Sequence, residues 1–135
     1  QLAAGVPLAA QALAWCAPLL ATQAVLVYAT ASADTVKAAQ QQLGAERAGA
    51  LVETCLAAIA TGLHACGVRR LVVAGGETSG AVVQALKVQR LRVGLPIDPG
   101  VPWTRVLGEL PLMLALKSGN FGGGDFFEKA LEVTR

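Results

Sequence analysis

The stretch LVVAGGETSG, residues 71–80, places a run of apolar and β-branched residues directly before two glycines. It predicts a buried strand at Arg70–Ala74, a tight turn at Gly75 and Gly76, and a helix over about residues 80–88. Strands that lead into helices through short turns are typical of α/β proteins, because parallel strands need helical crossovers. This stretch therefore decides the fold class.

The rest of the chain repeats the alternation of strand and helix. Further strands are predicted at residues 24–29 (AVLVYA, buried on both faces), 91–95 and 112–116 (LMLAL), and helices at residues 8–20, 34–43, 46–66 and 125–131. We expect residues 1–135 to form one α/β domain of three layers, with a mostly parallel sheet covered by helices on both faces.

Polar, proline and glycine residues mark the expected boundaries. Ser32 suits the N-cap of the helix at 34–43, and Asp125 suits the N-cap of the last helix. The stretch IDPGVPW, residues 97–103, is predicted as a rigid loop because of its prolines and glycine. Two interpretations of Trp103 stay open: it covers an adenine ring, or it fills the edge of the core.

The composition indicates a folded domain with more apolar surface than one small domain buries. Hydrophobic residues make up 54% of the chain and charged residues 15%, so the chain lacks the polar composition of disordered proteins. We expect part of this apolar surface to contact another domain or subunit, and a homo-oligomer is one such arrangement. The net charge is only +2 and the basic residues are scattered, which argues against a nucleic-acid partner.

The start of the chain and its cysteines bear on location. No charge precedes Asp34, yet a secretory signal would need a basic start, and the polar residues and proline within the opening stretch argue against a membrane span. Because the chain begins with Gln1 rather than Met, we expect it to be part of a longer protein. Three cysteines, Cys16, Cys55 and Cys66, without a metal-ligand spacing predict buried thiols in a reducing cytoplasm and no metal site.

The first glycine loop has the chemistry of an anion site. Gly75 and Gly76 let the backbone approach a ligand, with a positive φ expected at Gly76, and the helix start offers free N–H groups and a positive dipole end. Glu77, Thr78 and Ser79 complete the loop, and the two hydroxyls add donors. A tight strand-to-helix turn with Ser79 as N-cap explains the same residues, and both interpretations stay open.

The second glycine loop, KSGNFGGGD at residues 117–125, carries four glycines within six residues. Ordering such a backbone is costly, so a ligand that organises the loop is a natural explanation, and Lys117 could balance phosphate charge. A solvated lysine before a plain connection is the alternative. Both glycine loops follow the C-terminal ends of predicted strands, where open α/β sheets bind ligands, and this favours a binding site.

Three strings in this order, VVAGGETSGAVVQAL, IDPGVPW and LALKSGNFGGGDFFEKAL, closely resemble the C-terminal nucleotide-binding domain of the four-carbon acid sugar kinase family. The resemblance is strong over residues 70–131 and less specific upstream. It implies a kinase that phosphorylates erythronate, threonate or 3-oxo-tetronate with ATP and Mg²⁺. The rival hypothesis is a non-catalytic module that binds a nucleotide or only dimerises.

The resemblance also implies which residues contact the nucleotide. In this sequence they are Gly75, Gly76, Glu77, Thr78 and Ser79 of the first glycine loop and Ser118, Gly119 and Asn120 of the second. The family's N-terminal sugar-binding domain, and a Gly-Ser-rich segment before this region that also touches ATP, have no counterpart in the chain. The catalytic base is therefore not expected here, and that N-terminal domain is the expected partner.

Overall fold

A computed structural model describes residues 1–119 and 121–133 of the chain. After a short 3₁₀ turn at Leu2–Ala4, the helices are α1 (Leu8–Cys16), α2 (Ala33–Leu43), α3 (Ala45–Ala65), α4 (Gly76–Ala85) and α5 (Phe126–Glu132). The strands are β1 (Arg70–Ala74), β2 (Leu91–Asp98), β3 (Val101–Val106) and β4 (Met113–Lys117). The predicted α/β class is confirmed.

The four described strands form one mixed sheet in the order β1-β4-β3-β2. Only β1 and β4 are parallel; β3 pairs antiparallel with both β4 and β2. The prediction of a mostly parallel sheet is therefore wrong. The error lies in the stretch IDPGVPW, because it is not a loop but a hairpin with its turn at Pro99 and Gly100, and a hairpin makes its two strands antiparallel.

Two prolines in the strands of the hairpin lie where a sheet tolerates them. Pro96 and Pro102 face each other across the hairpin at a shift in register. Proline cannot donate a ladder hydrogen bond, so it is confined to edges and irregular positions. Pro96 lies in β2, an edge strand of the described sheet, and Pro102 precedes the residues of β3 that pair with β4.

The predicted strand at residues 24–29 forms no ladder with the described strands. Val25 and Val27 are partly buried against the core, whereas the side chains of Leu26 and Tyr28 are 61% and 71% exposed. The alternation in burial is that of a strand, but a strand is defined by its paired backbone groups. The expected burial on both faces is also wrong.

Side chains of the sheet alternate between two apolar clusters. Leu71, Val73 and Leu114 belong to a cluster that also takes side chains from α1, α3 and α4. Ala115 belongs to a second cluster with Phe126 and Ala130 of α5, and Val72 and Met113 pack against it. This alternation follows the period of two along a strand, and it gives the sheet apolar packing on both faces.

Trp103 fills the core. Its side chain is 2% exposed, and its indole Nε1–H donates a hydrogen bond of 3.0 Å to the carbonyl oxygen of Ala130 in α5. The interpretation of Trp103 as an adenine cover is therefore excluded, since the ring has no free face for a ligand.

Replacing this indole should destabilise the domain. We expect Trp103→Phe to lower the free energy of unfolding by about 1–3 kcal/mol, because the buried carbonyl of Ala130 loses its donor. Trp15→Phe is the matched control, since Trp15 is exposed and its replacement should change stability by less than about 0.5 kcal/mol. Urea unfolding of the two variants measures the difference, and equal midpoints would contradict this role for Trp103.

Two smaller expectations are settled by burial and capping. Ser32 caps α2, its Oγ accepting from the N–H of Thr35 at 3.3 Å. Of the three cysteines only Cys16 is buried, and burial raises the pKa of its thiol. The prediction of three buried thiols is wrong because Cys55 is partly buried and Cys66 is exposed.

Helix α3 alone among the described helices has the length and apolar composition of a membrane span. Core helices of globular proteins share these features, so this observation is weak. Ala57, Ile59, Ala60 and Leu63 of α3 are buried in the first cluster.

Candidate functional site

The two glycine loops leave the same edge of the sheet. Strands β1 and β4 are parallel neighbours in register, so that Ala74 and Lys117, their last residues, lie opposite each other. The N–H of Gly75 then donates a hydrogen bond of 2.8 Å to the carbonyl oxygen of Lys117. The two segments that the sequence singled out separately are therefore side by side.

The first glycine loop needs glycine at Gly75. This residue has a φ of +116°, a region that side chains rarely adopt, and its position before α4 makes it the N-cap. Gly76 already belongs to α4 and has no positive φ. The expected positive φ at Gly76 is thus wrong by one residue.

Helix α4 begins four residues earlier than predicted, so that the whole loop becomes its first turn. The N–H of Ser79 donates to the carbonyl oxygen of Gly75 at 2.8 Å, which makes Ser79 a residue of the helix and not its N-cap. The N–H groups of Gly76, Glu77 and Thr78 precede the first helical hydrogen bond and lack an acceptor within the helix. These three adjacent N–H groups and the positive end of the helix dipole are therefore available to an anion at the start of α4.

The side chains of this turn differ in exposure. Glu77 is exposed, Thr78 is partly buried, and Ser79 is buried. The hydroxyl oxygen of Ser79 has no hydrogen-bond partner among the described residues. Buried hydroxyls are almost always hydrogen-bonded, so this hydroxyl is an exception next to a turn of free N–H donors.

Ser118 lies next to the first glycine loop. A Cβ built on Gly76 would lie 3.4 Å from the Oγ of Ser118, so the two loops meet where Gly76 has no side chain. Ser118 and Gly119 are exposed, and Gly119 has a φ of +56°. Asn120, the remaining predicted contact, lies outside the described residues.

Lys117 does not extend freely into solvent. Its Nζ donates to the carbonyl oxygen of Gly119 at 3.1 Å and lies 6.0 Å from the centroid of the Phe126 ring. The cation is therefore held at the base of the second glycine loop. In this position it adds positive charge to the edge of the sheet from which both loops emerge.

The sequence analysis missed a pair of charged residues that holds the second glycine loop. Asp98 accepts from the N–H of Gly123 at 3.0 Å through one oxygen and from the Nζ of Lys129 at 2.9 Å through the other. The bond to Gly123, and then the one to Lys129, hold the pKa of Asp98 below its ordinary value. The bonds to Asp98 and Asp125 raise the pKa of Lys129.

Asp125 has a different role from the one expected. Its side chain makes no capping hydrogen bond at the start of α5. It lies 3.0 Å from the Nζ of Lys129 instead, one turn further along. The sequence signal for this cluster was the aspartate that ends an apolar strand before a Pro-Gly turn.

The described residues contain no group of three His, Cys, Asp or Glu side chains that could hold a metal ion. A site for Mg²⁺ with a nucleotide needs less, because the ion takes most of its ligands from phosphates and water and only one or two from carboxylates. Glu77 supplies one exposed carboxylate at the first glycine loop. The residues present therefore fit a magnesium ion that arrives with a nucleotide.

The chain matches a family described as the nucleotide-binding C-terminal domain, over residues 2–127. It is 62% identical to the 3-oxo-tetronate kinase of Pseudomonas savastanoi pv. phaseolicola, a match that covers 97% of this chain and 30% of that protein. The 3-oxo-tetronate kinase of Burkholderia multivorans is 63% identical over the same shares. The chain thus spans about a third of the length of these relatives.

A solved structure gives the same fold. The crystal structure of a Haemophilus influenzae protein superposes with a TM-score of 0.85 at 41% sequence identity, and the match covers 94% of this chain and 31% of that one.

Proposed function

We propose, from the premise that this chain belongs to the family of nucleotide-binding C-terminal domains, that the edge formed by the two glycine loops binds the phosphates of ATP. The single observation that carries the proposal is the juxtaposition of the loops, tied by the bond between Gly75 and Lys117. The complete protein would then phosphorylate a four-carbon sugar acid. The relatives' name favours 3-oxo-tetronate, and erythronate and threonate are related candidates.

The first glycine loop is the proposed phosphate cradle. Backbone N–H groups of Gly76, Glu77 and Thr78 would donate to phosphate oxygens, and the buried hydroxyl of Ser79 would gain the partner it lacks. Phosphoryl transfer depends mainly on positioning and on charge neutralisation, and both can come from fixed dipoles without a covalent residue. This chemistry suits a loop that offers no nucleophile.

The second glycine loop would close the site from the other strand. Ser118 lies beside the cradle, and we extend the proposal to Gly119 and Asn120 from the family resemblance. Lys117 would offset phosphate charge from the base of this loop. Glu77 would repel a bare phosphate, so we propose that it holds the Mg²⁺ of the nucleotide complex, and the ion would supply charge neutralisation at the transferred phosphate.

The acceptor site and the catalytic base are proposed to lie in the N-terminal part that the longer relatives carry. Exposed apolar side chains such as Leu26, Tyr28 and Leu95 offer surface for that part to cover, or for a second copy of the chain. With these side chains covered, we propose that the sheet forms the middle one of three layers. The free thiols fit a cytoplasmic location for the enzyme.

A nucleotide series tests the proposed site. With ATP or ADP and Mg²⁺ at 100 times the Kd, the folded state should gain about 2.7 kcal/mol, measured as a rise in Tm. Adenosine and inorganic phosphate should produce smaller rises, because each makes only part of the contacts. Absence of any rise in a folded sample at millimolar nucleotide would contradict the proposal.

Ser79→Ala is a matched variant for this series. Without ligand it should be as stable as the parent or slightly more stable, because it removes a buried hydroxyl that has no partner. With nucleotide it should show a smaller rise in Tm. A variant that loses stability without ligand and keeps the full rise would assign Ser79 to the fold and not to the site.

A further inference from the structure

We infer that Asp98 is a positioning residue for the nucleotide site, and that with Lys129 it holds the second glycine loop at Gly123, so that Ser118 stays beside Gly76 of the first glycine loop. The inference rests on the proposed function, since it concerns the loop that closes that site. It concerns a pair of residues that the family resemblance does not assign to the site.

Asp98 stands where three segments meet. It is the last residue of β2, its partner Lys129 belongs to α5, and Gly123 belongs to the second glycine loop. Each carboxylate oxygen of Asp98 has its own donor, the N–H of Gly123 and the Nζ of Lys129. The side chain of Asp98 is only 10% exposed, so water competes weakly for these bonds.

The turn that follows Asp98 holds the loop at a second point. A Cβ built on Gly100 would lie 2.9 Å from Cδ1 of Phe121, so the missing side chain at Gly100 leaves the space that the Phe121 ring occupies. Gly100 has a φ of +80°, which glycine adopts readily. The end of β2 and the turn after it thus contact the second glycine loop on both sides of Gly122, at Phe121 and at Gly123.

Such anchoring matters because of what the loop is made of. Fixing the backbone of a residue costs conformational entropy, and glycine loses the most on ordering. A loop held at Gly123 by Asp98 and at Phe121 by the contact with Gly100 loses less conformational freedom when a nucleotide binds. Preorganisation of this kind raises affinity without a new contact to the ligand.

Three variants test this role in the two-domain protein, that is, this domain together with the N-terminal part found in its relatives. Asp98→Ala removes both bonds. Asp98→Asn keeps an acceptor for the N–H of Gly123 and removes the ion pair. Asp125→Asn is the matched control, because Asp125 pairs with the same Lys129 but makes no bond to Gly123.

For Asp98→Ala we expect the KM for ATP to rise about tenfold, because, of the two bonds lost, the one to the N–H of Gly123 is the loop's charged anchor, with kcat within about twofold of the parent. Hydrogen exchange at the Gly123 amide should become faster. Asp98→Asn should show a smaller rise in KM, and it serves as the decisive variant if Asp98→Ala does not fold. Asp125→Asn should leave both the KM and the Gly123 exchange at parent values.

A parent-like KM in Asp98→Ala, or an equal rise in the KM of Asp125→Asn, would overturn the inference. The pair Asp98 and Lys129 would then stabilise only α5. Unchanged exchange at Gly123 would overturn it as well. These outcomes are distinct from failure of the proposed function. If the parent itself showed no ATP binding by calorimetry, the nucleotide site would be refuted first and the positioning role with it.

Discussion

The chain on its own is expected to show no ADP release that depends on a four-carbon sugar acid, and joining it to the N-terminal part of its relatives should restore turnover. Holding the acceptor in line with the transferred phosphate is worth effective molarities of about 10⁵–10⁸ M. An ATP site without an acceptor site forfeits this advantage. A coupled assay of ADP release measures it, with 3-oxo-tetronate, erythronate and threonate as acceptors.

Circular dichroism and a nucleotide-induced rise in Tm serve as controls that the isolated chain is folded and binds. Sugar-acid-dependent ADP release by the isolated chain would show that the acceptor site lies within these 135 residues. A two-domain protein that binds ATP but phosphorylates none of the three acids would refute the substrate class and leave the nucleotide site intact.

Gly76→Val is expected to weaken nucleotide binding by about 10- to 100-fold, the loss of one or two hydrogen bonds to a charged group. The reason is the geometry between the loops, since a Cβ at this position lies 3.4 Å from the Oγ of Ser118. The two methyl groups of valine extend further, into the gap where the phosphates are proposed to lie. Calorimetry with ADP and Mg²⁺ measures the effect.

Gly80→Val is the matched control for this substitution. Gly80 lies one helical turn further along α4, and a Cβ there meets no atom within 4 Å, so the same glycine-to-valine change in the helix is made away from the loops. Equal binding by the two variants would show that the gap at Gly76 is not the phosphate site. Gly75→Ala would not serve, because its φ of +116° makes any side chain strained.

The sequence predicted those elements whose signals are local. Strand β1 was predicted with its correct bounds, and β4 within one residue, because each is an apolar run that ends at a glycine loop or a lysine. The start of α4 was missed, since glycines at 75 and 76 look like a turn whether or not the helix has begun. No single-sequence pattern distinguishes the two cases, because the deciding feature is a φ angle.

Features that depend on residues far apart in the chain were not predicted, for a different reason. The hairpin was missed because Pro102 counts against a strand until one knows that it faces Pro96 of the edge strand β2 at a shift in register. The Asp98–Gly123 bond joins residues 25 positions apart, and nothing local to either residue signals the other. The strand at 24–29 was predicted from its pattern, yet pairing depends on a neighbour that the described residues do not provide.

The bond between Gly75 and Lys117 has a consequence for how this site can change. The two loops follow adjacent strands that are in register. The distance between the strand ends at Ala74 and Lys117 is therefore the spacing between strands of a sheet, about 4.8 Å. Substitutions within the strands alter stability but leave this spacing alone, since backbone hydrogen bonds set it. A side chain added within the loops can fill the gap between them, as expected for Gly76→Val, but widening that gap requires insertions or deletions after Ala74 or Lys117.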